Sequence, residues 1–160
     1  MKRLLSVLLA VAMLLGLGGV AMAEKVQVEF WYGLGGPTGE LMQALIAEFN
    51  ASQDKYEVIG VTQGSYTETF QNIQAPIAGG NPPALAVLEY GQVNNLALKG
   101  VLENVQPYID ASEAYQPEDV IEAFLEQGRY GDKLYAMPLQ GTTQVLYYDK
   151  AAFEAAGIDA

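Results

Sequence analysis

Apolar and polar residues along this chain alternate with a period of two in short segments and with a period near 3.6 in longer ones. Val26 to Tyr32 follows the shorter period and predicts the first strand, and Tyr56 to Thr62 is predicted to be the second. Between them the longer period predicts a helix with Thr38 as its N-cap. Its apolar positions are Leu41, Met42, Leu45, Ile46 and Phe49.

A second strand–helix unit follows. Ser65 and Glu68 form the S-x-x-E pattern of a capping box and predict a helix start. Pro76 should kink or end that helix, because its ring clashes with the carbonyl one turn earlier. The turn-forming run 79–83 (G-G-N-P-P) then leads into a predicted third strand, Leu85 to Leu88.

The second half of the chain continues the alternation of helices and strands. We predict a short helix that stops at Gly100, an extended connection through residues 101–108, a helix from Pro117 to Gly128, and a hairpin about Gly131-Asp132. A strand over Val145 to Tyr148 and a helix over Ala151 to Ala156 complete the pattern. Alternating strands and helices indicate an α/β fold with a mostly parallel sheet flanked by helices.

The N-terminus is typical of a cleavable secretory signal. Lys2 and Arg3 precede an apolar run, which ends in the small-residue site Ala21-Met22-Ala23. A membrane anchor is the alternative, and the glycines at 16, 18 and 19 disfavour it. We therefore predict a signal peptide over residues 1–23, with cleavage near Ala23, and a secreted chain over residues 24–160 in the periplasm or at the extracytoplasmic face.

Composition excludes several kinds of chemistry. The net charge of −11 repels phosphate backbones, so we expect no nucleic-acid partner. The chain has no Cys and no His, which excludes disulfides, thiolate nucleophiles and the usual general base. It also has no calcium-loop motif and no Walker sequence, and we expect no metal and no cofactor.

Polar and aromatic residues follow the predicted strands, where a parallel α/β sheet forms its ligand crevice. Glu89 follows the third strand, Tyr32 ends the first, and Tyr66 follows the capping residue after the second. A carboxylate there can accept hydrogen bonds from ligand hydroxyls, and the rings can cover apolar ligand surface. The alternatives are a solvated Glu89, a core position for Tyr32, and packing of Tyr66 against Phe70.

A polar bend precedes the last predicted strand. It contains Gly141, Thr142 and Thr143, whose hydroxyl and backbone N–H groups can hold an anion or a polyol. The alternative is an ordinary loop that satisfies its own backbone.

Taken together, these segments resemble the N-terminal lobe of an extracellular solute-binding protein of an ABC importer, with a class II periplasmic-binding-protein fold. The similar pieces are F-W-Y with its glycine loop, A-E-F-N, Q-G-S-Y, P-A-L-A-V-L-E-Y-G, and M-P-L-Q-G-T-T-Q-V-L-Y-Y-D-K with A-F-E-A-A-G. They follow the family's order, and Q-G-S-Y and L-E-Y-G favour its glycerol-3-phosphate-binding branch.

The resemblance implies a non-enzymatic protein that captures glycerol-3-phosphate, another polyol or a sugar between two lobes and delivers it to membrane permease subunits. It assigns ligand contacts to Tyr66, Glu89 and Thr142, with Tyr32 as a further cleft residue. Pro83-Ala84 stands where carbohydrate-binding relatives carry Pro-Asp, and the bend lacks the branch's serines. The first departure argues against an ordinary oligosaccharide ligand, and the second leaves room for a larger or different polyol.

The family has two lobes, so the resemblance also implies an incomplete chain whose second lobe, with the branch's phosphate-pairing Arg, is absent. Two other functions stay open from the residues alone. One is an exported glycoside hydrolase that uses paired carboxylates such as Glu89 and Asp149. The other is a surface domain that binds no small ligand.

Overall fold

The computed structural model describes residues 24–159, so the predicted signal peptide lies outside the described residues. The chain divides between Ala86 and Val87 into two compact units. In the part of the chain that is described, no helix is long and apolar enough to cross a membrane.

The first unit is built on a parallel sheet. Strands β1 (Val26–Tyr32) and β2 (Tyr56–Thr62) have the predicted bounds and pair in parallel from Val26–Tyr56 to Tyr32–Thr62. The third strand, β3 (Leu85–Ala86), pairs with the other side of β1, which gives the order β2-β1-β3. The prediction of an α/β fold with a largely parallel sheet is confirmed. The prediction that β3 extends to Leu88 is wrong, because the chain leaves the ladder to reach the helix that begins at Tyr90.

Helix α1 (Gly36–Ser52) begins earlier than predicted. Its N-cap is Gly35, and Pro37 lies in the first turn, where a missing N–H costs no intrahelical hydrogen bond. Thr38 therefore lies inside the helix, and the prediction that it caps the helix is wrong. Met42 is the buried large residue of α1, and it belongs to a core that also contains Tyr32, Leu34, Thr69 and Ile73.

A break between two short helices follows β2. Helix α2 (Tyr66–Asn72) ends one residue before Ile73, and α3 (Gln74–Ala78) continues to Gly79. Pro76 has no N–H to donate to the carbonyl of Asn72, which explains why the helix breaks there. The predicted effect of Pro76 is confirmed, and Gly80, with φ +73°, completes the turn toward β3.

The second unit begins with helix α4 (Tyr90–Leu98), which is followed by Gly100 at φ +68° as predicted. The predicted extended connection after it is wrong in part, because residues 106–110 form helix α5 (Gln106–Asp110) with Pro107 in its first turn. The buried apolar side chains of this unit are Val93, Leu96, Ala97 and Leu134.

The helix predicted from Pro117 to Gly128 forms as three pieces. A 3₁₀ turn (Pro117–Asp119) is followed by extended backbone at Val120, helix α6 (Glu122–Leu125) and a second 3₁₀ turn (Glu126–Gly128). The hairpin is confirmed: β4 (Arg129–Tyr130) and β5 (Lys133–Leu134) pair in antiparallel fashion about Gly131, which has φ +63°.

Residues 145–148 do not form the predicted strand. A strand needs a hydrogen-bonding neighbour, and none of the described residues pairs with this segment. Leu146 and Tyr147 are 86% and 92% exposed. The last helix, α7 (Lys150–Ala155), forms as predicted to within one residue and is followed by Gly157 at φ +71°.

Candidate functional site

The carboxyl ends of β1 and β2 are joined backbone to backbone in the first unit. The N–H of Gln63 donates to the carbonyl of Tyr32 at 2.8 Å, one step beyond the strand ladder. A Cβ added to Gly33 would lie 2.7 Å from the Cα of Ser65, so only glycine fits at this approach. The loops that follow these two strands therefore form one rim.

Ser65 fixes the start of α2 on this rim. Its Oγ accepts a hydrogen bond from the N–H of Glu68 at 3.1 Å, which confirms the predicted cap. The hydroxyl of Thr69, which is fully buried, donates to the carbonyl of Ser65 at 2.8 Å. Tyr66 is the first residue of the helix and is half-buried, so part of its ring stays accessible at the rim.

Tyr32 belongs to the core instead of the rim. Its side chain is 1% exposed and packs with Phe30 at a ring-centroid distance of 5.6 Å. A Cβ on Gly60 would lie 3.0 Å from the Tyr32 hydroxyl oxygen, so this glycine leaves the space that the ring fills. The expectation that Tyr32 lines a ligand cleft is wrong in this structure, because alternation along β1 turns its ring to the covered face.

Trp31 is less buried than Tyr32, although a large aromatic side chain usually favours a core position. It is half-buried, and its Nε1–H donates to Oε2 of Glu29 at 2.9 Å. The two residues are two apart on β1 and therefore share one face of the sheet. Strand alternation separates Trp31 from Tyr32, but sequence reasoning did not identify which ring the neighbouring elements cover.

Glu89 is the N-cap residue of α4 in the second unit. Its backbone N–H donates to Oε1 of Gln92 at 3.0 Å, and its side chain is exposed. This local role was missed at the sequence level, although E-x-x-Q resembles a capping pattern with Glu in place of Ser or Thr. The carboxylate stands at a helix start, where the helix dipole favours negative charge.

The polar bend contacts helix α6 of the second unit through Gly141. A Cβ on Gly141 would lie 2.5 Å from Cε1 and Cε2 of Phe124, so the backbone of Gly141 packs directly on that ring. Thr142 and Thr143 follow it in irregular backbone, and both are exposed. The packing of Gly141 thus leaves two hydroxyl groups accessible to solvent.

The predicted site residues belong to two units. Tyr66 lies in the first unit, whereas Glu89, Gly141, Thr142 and Thr143 lie in the second. That all of them face one ligand stays a prediction.

Asp149 has a structural role in the second unit. Its Oδ1 accepts hydrogen bonds from the N–H groups of Ala151 at 2.9 Å and Ala152 at 3.2 Å and so caps α7. Within residues 24–159, no group of three or more carboxylate, imidazole or thiol side chains could hold a metal ion.

The family model for bacterial extracellular solute-binding proteins matches residues 44–160. This chain belongs to that family. The match includes the later part of α1, β2, the capped loop at Ser65 and the whole second unit. The resemblance carried by the Q-G-S-Y, L-E-Y-G and L-Y-Y-D-K segments is therefore confirmed at the family level.

Two groups of relatives are similar over almost the whole chain. The sn-glycerol-3-phosphate-binding periplasmic protein UgpB of Escherichia coli O1:K1 is 32% identical over 159 residues and 94% of this chain. The protein of the same name from Yersinia pestis is 30% identical over 156 residues. The chain spans about a third, 35%, of the length of these relatives.

Solved structures of similar proteins support the fold. UgpB from Mycobacterium tuberculosis, solved with glycerophosphocholine, matches with a TM-score of 0.68 at 24% identity, over 83% of this chain and 35% of that one. The galacto-N-biose/lacto-N-biose I-binding protein of Bifidobacterium longum matches with a TM-score of 0.66 at 22% identity, over 85% and 34%. The described residues therefore have the fold of part of a periplasmic binding protein, of the length of one lobe.

Proposed function

We propose that this chain is part of the extracytoplasmic solute-binding component of an ABC importer and captures a solute related to glycerol-3-phosphate, or another polyol or sugar. The observation that carries the proposal is the 32% identity to a glycerol-3-phosphate-binding periplasmic protein over 94% of the chain, within a matched solute-binding family. Export through a signal peptide over residues 1–23 and delivery of the solute to permease subunits belong to the same proposal.

The ligand would be bound by chemically different groups on the two units. The half-buried ring of Tyr66 would cover the carbon skeleton of the solute. The exposed carboxylate of Glu89 would accept hydrogen bonds from its hydroxyl groups. Thr142, with the backbone of Gly141 and Thr143, would bind the polar or anionic end. Tyr32 is left out, because a buried ring cannot reach a solute.

Local charge bears on which solute this part of the protein can bind. Arg129 is paired with Glu126 at 2.7 Å, and the ammonium group of Lys25 binds two backbone carbonyls. Both of these cations are therefore engaged within the protein. Hydroxyl and backbone N–H groups of the bend can bind a phosphate without a formal positive charge, and Glu89 disfavours an anion beside it.

The same proposal makes the chain a binding protein and not an enzyme. The relatives are named as binding proteins. A hydrolase would need a second carboxylate to act with Glu89. The candidate for that role is Asp149, and its carboxylate caps a helix. A capping carboxylate that accepts two N–H groups is poorly placed to act as a nucleophile or a proton acceptor.

The test is a titration of the purified, isotope-labelled chain with sn-glycerol-3-phosphate, followed by amide chemical shifts. We expect saturable shifts at Tyr66, Glu89, Thr142 and Thr143 with millimolar ligand, and much smaller shifts with inorganic phosphate. Shifts with maltose alone would reject the glycerol-phosphate assignment. No saturable shifts with glycerol-3-phosphate, glycerol or maltose would reject solute binding by this chain.

Matched substitutions assign the contacts. Glu89→Gln and Tyr66→Ala should each weaken binding by about tenfold, the effect expected for loss of a charged hydrogen bond or a ring contact. Asp132→Asn and Tyr108→Ala are the controls, because both residues are exposed and neither is a predicted contact: Asp132 lies in the hairpin turn and Tyr108 in α5. Equal losses in the controls would show a global effect and reject the assigned contacts.

A further inference from the structure

The sheet of the first unit ends at β2. Among the described residues β2 pairs only with β1, so one side of the strand has no neighbouring strand. The backbone groups of alternate residues point to the same side of a strand. Residues 57, 59 and 61 face β1, whereas Tyr56, Val58, Gly60 and Thr62 face outward. An open edge of this kind is a template on which a second chain can pair.

Two side-chain amides occupy this edge. Oδ1 of Asn50 accepts from the N–H of Val58 at 2.7 Å, and its Nδ2 donates to the carbonyl of the same residue at 2.8 Å. Gln53 makes the same two hydrogen bonds with Tyr56. Its Oε1 accepts from the N–H of Tyr56 at 2.7 Å, and its Nε2 donates to the carbonyl of Tyr56 at 2.8 Å. Each amide uses its oxygen as an acceptor and one N–H as a donor toward β2, as the peptide groups of a neighbouring strand would.

The helix end that carries these amides is itself fixed. Asn50 lies in the last turn of α1, and Gln53 is its C-cap. The ammonium group of Lys25 donates to the carbonyls of Asn50 at 2.9 Å and Gln53 at 2.8 Å. A cation at this position stabilises the negative end of the helix dipole. The amides are therefore held beside β2 by a contact that does not involve the edge.

We propose that Asn50 and Gln53 close the first half of the outer edge of β2, at Tyr56 and Val58, against strand pairing with a second copy of this chain. The two amides satisfy the outward N–H and C=O groups of two successive outward residues, Tyr56 and Val58. A second strand that pairs along Tyr56 and Val58 would have to displace four hydrogen bonds before it could form its own there. The proposal does not depend on which solute the protein binds.

A simpler role for the same hydrogen bonds is stabilisation of the connection between α1 and β2. That role and edge closure predict different results when the amides are removed. Loss of a stabilising contact lowers the free energy of unfolding but leaves the association state unchanged. Loss of edge closure also allows copies to associate through β2.

The test compares Asn50→Ala/Gln53→Ala with the parent chain by sedimentation velocity over a range of concentrations, with amide hydrogen exchange at Tyr56 and Val58. We expect the self-association constant to rise by about tenfold or more, the scale of one or two net hydrogen bonds. At low concentration the two N–H groups should exchange faster than in the parent, and they should regain protection as the copies associate.

Two controls separate the edge from general destabilisation. Asn72→Ala removes an exposed amide that donates to the Gln63 side chain at 2.7 Å and should not change association. Met42→Ala opens a cavity in the core and lowers stability without exposing the edge. Association of Met42→Ala as strong as that of the double variant would overturn the proposal, as would a double variant that sediments like the parent.

A second pair of variants locates the contact and guards against misfolding. Gln53→Ala alone removes only the more exposed amide and should raise association less than the double variant does. Combining Tyr56→Pro with Gln53→Ala removes the outward N–H at the first residue of β2, where proline is tolerated. This change should return association to the parent level, and undiminished association would overturn the proposal.

Discussion

Gly33 and Ser65 lie backbone to backbone at the ends of β1 and β2, with 2.7 Å between the position of a Cβ on Gly33 and the Cα of Ser65. We predict that Gly33→Ala destabilises the first unit by about 1–3 kcal/mol, because the two loops must separate to admit a methyl group. Urea unfolding followed by the fluorescence of Trp31, the single tryptophan of the chain, measures the effect in this unit.

Gly35→Ala is the control for this substitution. Gly35 has φ −115°, and a Cβ there meets no atom within 4 Å. Alanine is a poorer N-cap than glycine, so the unfolding midpoint of Gly35→Ala should fall, but by less than that of Gly33→Ala. Equal midpoints for Gly33→Ala and the parent would contradict the close approach of the two loops.

The cap at Ser65 provides a second prediction. Ser65→Ala removes the acceptor for the N–H of Glu68 and should lower the stability of the first unit by about 1 kcal/mol. Ser65→Asp keeps an acceptor at the same place and should retain most of the stability. Chemical unfolding of the three proteins tests this, and equal losses in both variants would rule out the cap as the cause.

Two glycines of the second unit should respond to alanine with opposite signs. Gly100 has φ +68°, so Gly100→Ala should cost about 1 kcal/mol of backbone strain. Gly91 lies within α4, and a Cβ there meets no atom within 4 Å. Gly91→Ala should therefore stabilise the unit by about 0.5 kcal/mol. Unfolding followed by far-ultraviolet circular dichroism measures both, and changes of the same sign would contradict the prediction.

Substitutions of Asp149 distinguish a structural role of its carboxylate from a catalytic one. Asp149→Ala should destabilise α7 by about 1 kcal/mol, because the N–H groups of Ala151 and Ala152 lose their acceptor. Asp149→Asn should preserve the helix, since asparagine is an equally good N-cap. Amide hydrogen exchange at Phe153 and Ala156 reports the helix. Turnover of a chromogenic glycoside that Asp149→Asn abolishes would instead support the hydrolase.

Elements with local signals were predictable from the sequence. Alternation of apolar and polar residues located β1, β2 was predicted with its observed bounds, and the glycines at 100, 131 and 157 marked the ends of helices and the hairpin turn. The capping residues Ser65 and Asp149 were equally readable. Each of these features depends on residues within a few positions of one another, so the local order of amino acids is sufficient to specify it.

The order of the family segments also carried information beyond local structure. Q-G-S-Y, L-E-Y-G and L-Y-Y-D-K indicated a solute-binding protein, and the family match confirmed it. The segments identified the family but not the environment of each side chain. Tyr32 was expected at a ligand cleft and is buried, whereas Trp31 is half-exposed.

Only the tertiary structure decided features in which distant residues meet. Strand period places Tyr32 and Trp31 on opposite faces, but packing on one face determines which ring is buried. Residues 145–148 have the composition of a strand, yet a strand forms only where another strand supplies hydrogen bonds. The pairing of Asn50 with Val58 likewise follows from the return of the chain alongside α1. Such contacts depend on three-dimensional proximity, and the spacing of residues along the chain does not determine it.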